Sequence, residues 1–269
     1  MPDTDFRAAL DRLRNGFALD AGVVGIGEPV ARALERTIPG LETFPAMSGP
    51  AIAVPSTQQA MWVFLRGANR GVLFDATVKL RSMIYPAFEL QDLMETFVYA
   101  DSRDLSGYED GTENPKAEKA VEAALVSGAK GMAGSSFVAV QRWVHDLKQL
   151  GQYPRDRQDD IIGRRKDTNE ELADAPASSH VKRTAQESYD PPAFMWRRSM
   201  PWAGANEQGL EFIAYVESLD RFTRMMRRMA GLNDGIADAL FKFSRAVTGG
   251  YYWCPPVAGK KLDLSQLGI

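Results

Sequence analysis

Gly107-Tyr108-Glu109-Asp110-Gly111-Thr112-Glu113-Asn114-Pro115 sets acids, glycines and a proline in a tight polar segment of an otherwise apolar chain. Glycine lets the backbone turn and lets a ligand come close, and Gly111 leaves the Asp110 carboxylate free of a bulky neighbour. Read alone, Asp110 is a turn residue that accepts backbone N–H groups, the common use of Asp-Gly. Two later segments carry groups able to work with such a carboxylate. One is Ala177-Ser178-Ser179-His180, the other Met195-Trp196-Arg197-Arg198-Ser199-Met200-Pro201.

Ahead of this loop, Phe6, Leu10, Leu13 and Phe17 give residues 5–17 a helical spacing. A Pro- and Gly-bearing stretch fills residues 39–56. Met61, Val63 and Leu65 alternate with Trp62 and Phe64 as in a strand. Val72, Leu73, Ala76, Leu80 and Ile84 make residues 69–85 a helix, and Phe97-Val98-Tyr99 reads as a short strand leading into the loop. Beyond it, residues 137–144 read as a central strand, and the charged residues 148–174 as a surface helix and loop. Residues 194–197 and 210–216 read as further strands. Leu219, Phe222, Met225, Met226 and Met229 share one side of a helix over 219–230, a stripe suited to core packing. Residues 234–248 read as another helix, with Asp234 as its cap. Strands and helices alternate, yet several strands are consecutive, so α+β suits the pattern better than a parallel sheet.

The 269 residues can bury one large core or two ordinary ones. A 45% apolar and 25% charged composition is that of a globular protein, and a net charge of −3 without a basic stripe argues against nucleic acid. Arg224, Arg227 and Arg228 fall on the 219–230 helix and read as its solvated face. No apolar run approaches the roughly twenty residues needed to span a bilayer, and the first six residues lack the regions of a signal peptide. The single cysteine, Cys254, cannot form an internal disulfide, which fits a reducing cytoplasm. Between Trp253 and Pro255 it reads as a small buried apolar residue.

Gly-x-x-Asp-Gly-Thr-Glu-Asn-Pro, then Ser-His, then Arg197 ahead of a Met-Pro pair, resembles the dye-decolorising peroxidases, the short bacterial branch best of all. Val140-Gln141-Arg142-Trp143-Val144-His145-Asp146, Ile162-Gly163-Arg164, Gly209-Leu210-Glu211-Phe212-Ile213 and Phe243-Ser244-Arg245-Ala246-Val247-Thr248-Gly249 match in the same order. The resemblance is firm from about residue 98 to residue 255, and its specificity lies in the ordered set. It implies two ferredoxin-like halves with antiparallel sheets, flanking helices and haem b between them. Residues 1–125 would carry the distal acid loop, and residues 126–269 the proximal histidine and distal arginine. Relatives usually begin with a strand before the first helix. This chain begins at the helix, so an edge strand of the first half is expected to be missing or supplied differently.

Haem iron takes an axial imidazole, and the chain offers His145 and His180. The residues alone do not separate them, and His145 also reads as a locally bonded strand-end histidine. The Ser-His match selects His180 as proximal ligand. A ligating imidazole gives its other N–H to a carboxylate or carbonyl. The resemblance implies an acid where Lys242 stands, which leaves Asp238 as the next candidate. Asp110 is implied as the distal acid–base that moves the peroxide proton. Arg197 is the cation that stabilises charge as the O–O bond breaks and favours an ionised Asp110.

On a strand Arg198 points the other way, as a surface arginine, while Ser199 returns to the Arg197 face and can hold a water. Gly111 and Thr112 are placed against the cofactor, Thr112 and Asn114 also ordering the loop. Leu210, Phe212 and Ala214 share a strand face suited to the haem slot or to ordinary core. Arg164 suits a propionate or a solvated loop. Trp143, Trp196, Tyr251, Tyr252 and Trp253 read mostly as core aromatics.

The resemblance thus implies an enzyme, a haem-dependent peroxidase. It would use hydrogen peroxide to oxidise phenolic, dye-like or other small electron donors through a ferryl intermediate. The alternative is a haem-binding, haem-delivery or iron-releasing protein with little turnover, dependent on His180 but not on Asp110 and Arg197. No nucleic acid or membrane partner is expected. Self-association is, since an incomplete first sheet leaves an edge that a partner can cover. Residues 259–269 read as a plain chain end rather than a segment that docks inside a protein shell.

Overall fold

The computed structural model describes residues 3–50 and 52–269. Met1 and Pro2, which open the segment read for a leader, and Ala51, in the Pro- and Gly-bearing stretch, lie outside them. The chain runs α1 (Asp3–Gly16), β1 (Gly22–Ile26), α2 (Glu28–Ala33), β2 (Met47–Gly49), β3 (Ile52–Val54), β4 (Met61–Leu65), α3 (Arg70–Ile84) and α4 (Glu118–Ala124). It continues through β5 (Ser136–His145), α5 (Leu147–Gly151), α6 (Arg155–Ile162), α7 (His180–Thr184), β6 (Trp196–Arg197), β7 (Met200–Ala203) and β8 (Gln208–Val216). Last come α8 (Leu219–Met229), β9 (Ser244–Ala246), β10 (Gly250–Cys254), β11 (Val257–Ala258) and β12 (Lys261–Leu262).

β5 is the axis of the sheet. Every residue in it except Arg142 is buried, as its nearly continuous apolar run requires of a strand covered on both faces. Among the described residues eight strands join in one antiparallel sheet, ordered β4-β1-β10-β5-β8-β6. β9 lies beside the far end of β5, and β7 beside the start of β8. The architecture is α+β with antiparallel strands, as the sequence suggests, and β1 and β4 from the first half are hydrogen-bonded into the same sheet as the second.

Alternation along β8 sorts the two faces. Leu210, Phe212, Ala214 and Val216 turn to the main core, while Ile213 and Tyr215 join Val138, Val140 and Tyr252 on the other side. α8 closes the main core with Leu219, Phe222, Met225, Met226 and Met229, all buried, so the methionine stripe is packing. Each such side chain contributes about 1.5–3 kcal/mol by leaving water. Asn69 caps α3 by accepting from Gly71 N at 2.8 Å and Val72 N at 3.2 Å. The last residues pack inward. Leu262, Leu264 and Leu267 are buried, and Lys261 Nζ donates to Asn15 of α1 at 2.7 Å. No helix among the described residues is long and apolar enough to cross a membrane.

Three expectations are corrected. Residues 97–99 form no strand: Phe97 N donates once, to Pro201 O, and all three side chains are exposed. Residues 234–248 are not one helix. Asp238 caps a short 3-10 turn (Ala239–Lys242), and the chain then extends as β9 against Trp143, Val144 and His145. Asp234 caps no helix; it pairs with Arg183. Nor is the arginine face of α8 wholly solvated, since Arg228 stacks 3.6 Å from the Tyr189 ring centroid. β1, β7 and β10 were not legible as strands.

A large trough of about 2590 Å³ opens between β4, α3, residues 86–98 and the second face of the sheet. Asp110, Arg197 and His180 do not line it.

Candidate active site

The distal loop is built on a small hairpin. Arg103 and Glu109 face each other across a β-bridge closed by a 3.1 Å ion pair. Asp104 N donates to Tyr108 O, and Gly107 N donates to Asp104 O. Two side chains root the hairpin. Tyr108 Oη donates to the buried Asp159 of α6 at 2.7 Å, and Asp104 meets His145 Nε2, at the end of β5, at 3.0 Å. Asp110 then follows, its Oδ1 accepting from Gly111 N at 2.8 Å. Gly111 has φ 75°, a conformation that side chains resist. Asn114 closes the loop onto β6: its Nδ2 donates to Arg197 O, and its Oδ1 accepts from Arg197 N, both at 2.9 Å.

Arg197 lies opposite Ala214 in the β6–β8 ladder and so shares its face, with Leu210 and Phe212, while Trp196 and Arg198 turn to the trough. Its Nε is buried without a hydrogen-bond partner. Asp110 keeps some accessible surface but is densely surrounded by protein. Burial pushes its carboxyl above the ordinary carboxylate range, Arg197 acts against that rise, Asp104 adds to it, and His180 opposes it.

His180 begins α7 after the buried Ser179. Its Nδ1 lies 2.8 Å from Asp238 Oδ2, while Asp238 Oδ1 accepts from Leu240 N at 2.8 Å. An ionised carboxylate can only accept, so beside one Nδ1 donates and Nε2 is left with its lone pair. Nε2 has no hydrogen-bond partner among the described residues. The sequence left open which carboxylate meets this histidine; the geometry gives Asp238 that contact. Arg183 anchors α7 from behind, donating to Asp234 at 2.7 and 2.8 Å and to Arg228 O at 2.6 Å. Gly163 (φ 96°) lets α6 end against this helix; a Cβ there would sit 3.0 Å from Val181 Cβ.

The remaining sequence candidates fall in several environments. Ser199 and Asp110 line one small recess of about 40 Å³ with Arg103 and Arg198. Leu210 and Phe212 are partly buried against the main core. Thr112 is exposed, its hydroxyl accepting from Asn169 Nδ2 at 2.9 Å. Arg164 is buried and paired with Glu113 and, at 3.3 Å, with Glu171. His145 is excluded as a ligand because both its nitrogens are engaged, Nδ1 with Ser244 Oγ at 2.6 Å and Nε2 with Asp104. The sequence did not reveal the Asn114 clamp or the Asp104–His145 bond, since both join residues far apart in the chain.

Among the described residues no three His, Cys, Asp or Glu groups gather into a metal-ligand set. A bare ion would find too few donors. One free imidazole nitrogen, a raised carboxyl and an unpartnered guanidinium nitrogen suit iron that arrives inside its own macrocycle.

Comparison with known proteins agrees. Residues 101–259 match the model of the Dyp-type peroxidase C-terminal region. A dye-decolorizing peroxidase of Mycobacterium tuberculosis is 32% identical over 224 residues, 81% of this chain and 67% of that protein. Another, from Rhodococcus erythropolis, is 32% identical over 253 residues, 89% of this chain and 74% of that one. Among solved structures, DyPB from Rhodococcus jostii superposes with a TM-score of 0.87 at 29% identity, covering 95% of this chain and 89% of its own, and variants of it have been solved with haem. With its motif order and its fold in agreement, the chain belongs to the dye-decolorising peroxidase family.

Proposed function

We propose that this protein is a haem-dependent peroxidase in which Asp110 and Arg197 act on hydrogen peroxide and His180 would hold the iron. The observation that carries the reading is geometric: Asn114, four residues past Asp110, grips the main chain of Arg197, and Asp238 takes His180 Nδ1 while Nε2 has no partner among the described residues. The haem complexes of the Rhodococcus jostii relative support the cofactor.

Haem b, when bound, supplies the iron at which peroxide is reduced and from which small donors are oxidised one electron at a time. Asp110 as carboxylate takes the proton from one peroxide oxygen, and as carboxylic acid returns it to the oxygen that leaves as water. Arg197 holds positive charge where negative charge develops, with no hydrogen bond of its own to break first. His180 would hold the iron through Nε2, with Asp238 bonded to Nδ1. Gly111 lets the loop approach the cofactor, Leu210 and Phe212 form its apolar wall, and Ser199 orders water in the recess beside Asp110. Thr112 bonds to Asn169, and Arg164 meets the acid loop through its pair with Glu113.

In this reading residues 1–125 supply the distal acid, and residues 126–269 the axial ligand and the cation. The edge strand β4, which among the described residues pairs only with β1, supports self-association. The buried, unpaired Cys254 accords with a cytoplasmic setting.

The test is an absorption spectrum of haem-loaded protein mixed with a small excess of hydrogen peroxide. Rapid conversion of the ferric Soret band, slowed by Asp110→Ala or Arg197→Ala, is expected, with His180→Ala disturbing the haem band itself. Slow bleaching that ignores the two distal substitutions would favour a haem carrier.

A further inference from the structure

Among the buried side-chain atoms without a hydrogen-bond partner are Arg197 Nε and Gln141 Nε2, and both residues rise from one face of the sheet. Ladder pairing places them. Ala139, Ala214 and Arg197 form one row across β5, β8 and β6, and Gln141 and Phe212 form the next row on that face. Trp143 and Leu210 make the row after it. Two strand spacings and two residues of rise put the Gln141 Cα roughly 12 Å from that of Arg197.

Gln141 is 1% exposed, and only one end of its amide is bonded. Trp143 Nε1 donates to Oε1 at 3.3 Å, and since an indole can only donate, this bond fixes which end is oxygen. Both N–H groups of Nε2 are left among apolar neighbours. Phe212, directly across the ladder, packs on Phe222 of α8 with ring centroids 5.7 Å apart. Trp143 packs on Phe241 at 5.5 Å, three residues past the Asp238 that meets His180. Gln141 therefore stands in the space bounded by the sheet, α8 and the turn that supports His180, the same space that Leu210 and Phe212 wall. A buried amide N–H without a partner is costly there.

We propose that Gln141 Nε2 is a donor to a propionate carboxylate of bound haem. The inference rests on haem occupying the slot that Leu210 and Phe212 wall. The methyl, vinyl and ring carbons of the macrocycle accept no hydrogen bond, and its pyrrole nitrogens hold the iron, so the propionates are its peripheral acceptors. At its distance from Arg197, Gln141 addresses the edge of the macrocycle rather than peroxide at the iron. A bond to an ionised carboxylate is among the stronger kinds. Arg164, which the sequence offered for this duty, is engaged by Glu113, Glu171 and Asn169 O. A neutral donor also leaves no unpaired charge in the core of the haem-free protein, as a lysine or arginine at this position would.

The test reads how tightly haem is held, not turnover. Ferric haem b and its dimethyl ester, whose propionates carry no charge, are each loaded into the protein, and their transfer to apomyoglobin is timed. Gln141→Met keeps the shape of the side chain and a weak acceptor for Trp143, but no donor. It is expected to quicken the loss of haem b by about tenfold, with a much smaller change for the ester. Gln141→Glu, which sets a carboxylate against the propionate, should quicken the loss of haem b further, and the ester should again blunt the effect. The haem-free protein should melt no lower with Gln141→Met, because the unpartnered N–H groups are gone. If Gln141→Met does not fold, Gln141→Asn, with its amide drawn back by one methylene, gives the same comparison. Haem b lost at the unsubstituted rate overturns the proposal. So does an equal acceleration for haem b and the ester, or a fall in melting temperature shared by the haem-free and loaded forms. An unsubstituted protein that takes up no haem defeats the haem reading itself, and this inference falls with it.

Discussion

Asn114 holds the main chain of Arg197 with both ends of its side-chain amide, donating to the carbonyl and accepting from the N–H at 2.9 Å each. The amide is four residues past Asp110, so a short stretch of chain and two hydrogen bonds join the acid to the main chain of the arginine. Neither bond involves the Arg197 guanidinium, which stays free for chemistry.

Asn114→Ala should therefore loosen the acid from the cation without altering either. A displacement of about 1 Å in such a pair can cost on the order of 10²-fold in rate. The expected result is a fall of about tenfold or more in the rate with hydrogen peroxide, by stopped flow, with the resting haem spectrum unchanged.

Arg197 is what opposes the rise of the Asp110 carboxyl. With Arg197→Leu that carboxyl should rise further, so the acid limb of activity moves to higher pH and the plateau rate falls by about 10²-fold or more. Stability follows the same sign. Asp110 favours the fold while protonated, so its contribution is complete below the ordinary carboxylate value and is lost as pH climbs through the raised one. A pH series of thermal unfolding for Asp110→Asn against the unsubstituted protein checks that half.

Asp238→Ala removes the carboxylate that fixes the tautomer of His180. Loss of such a partner typically costs 10–100-fold in metal affinity or activity. Haem transfer to apomyoglobin should quicken, and the iron potential should rise as the imidazole becomes less basic.

Gly163→Ala should destabilise the fold by about 1–3 kcal/mol, because φ is 96° and the new methyl would press on Val181. The melting temperature is expected to fall. An unchanged value would mean that α6 and α7 can slide apart freely.

Much of this was legible in the chain itself. Residues 137–144 announced a central strand because they are apolar on both faces, and Met225, Met226 and Met229 announced a core helix by spacing. Asp110, His180 and Arg197 were singled out by the order of short motifs that the resemblance supplied. What failed was decided by tertiary partners. Asp234 looked like a cap but was drawn to Arg183, and the 234–248 segment gave up its helix because β5 offered Ser244–Ala246 a ladder. Gly250–Cys254 carries aromatics that suit core or strand equally, and only its pairing with β5 and β1 distinguishes the two.

The methionines of α8 have a last consequence. Thioethers are among the first groups that peroxide damages, and a sulfoxide in a packed core forces it apart. Met225, Met226 and Met229 are 5%, 0% and 6% exposed, so an oxidant reaches them only when the helix lifts from the sheet. Oxidation of these three sulfurs in peroxide should thus follow how seldom α8 breathes, a kinetic property of the core rather than of the catalytic groups.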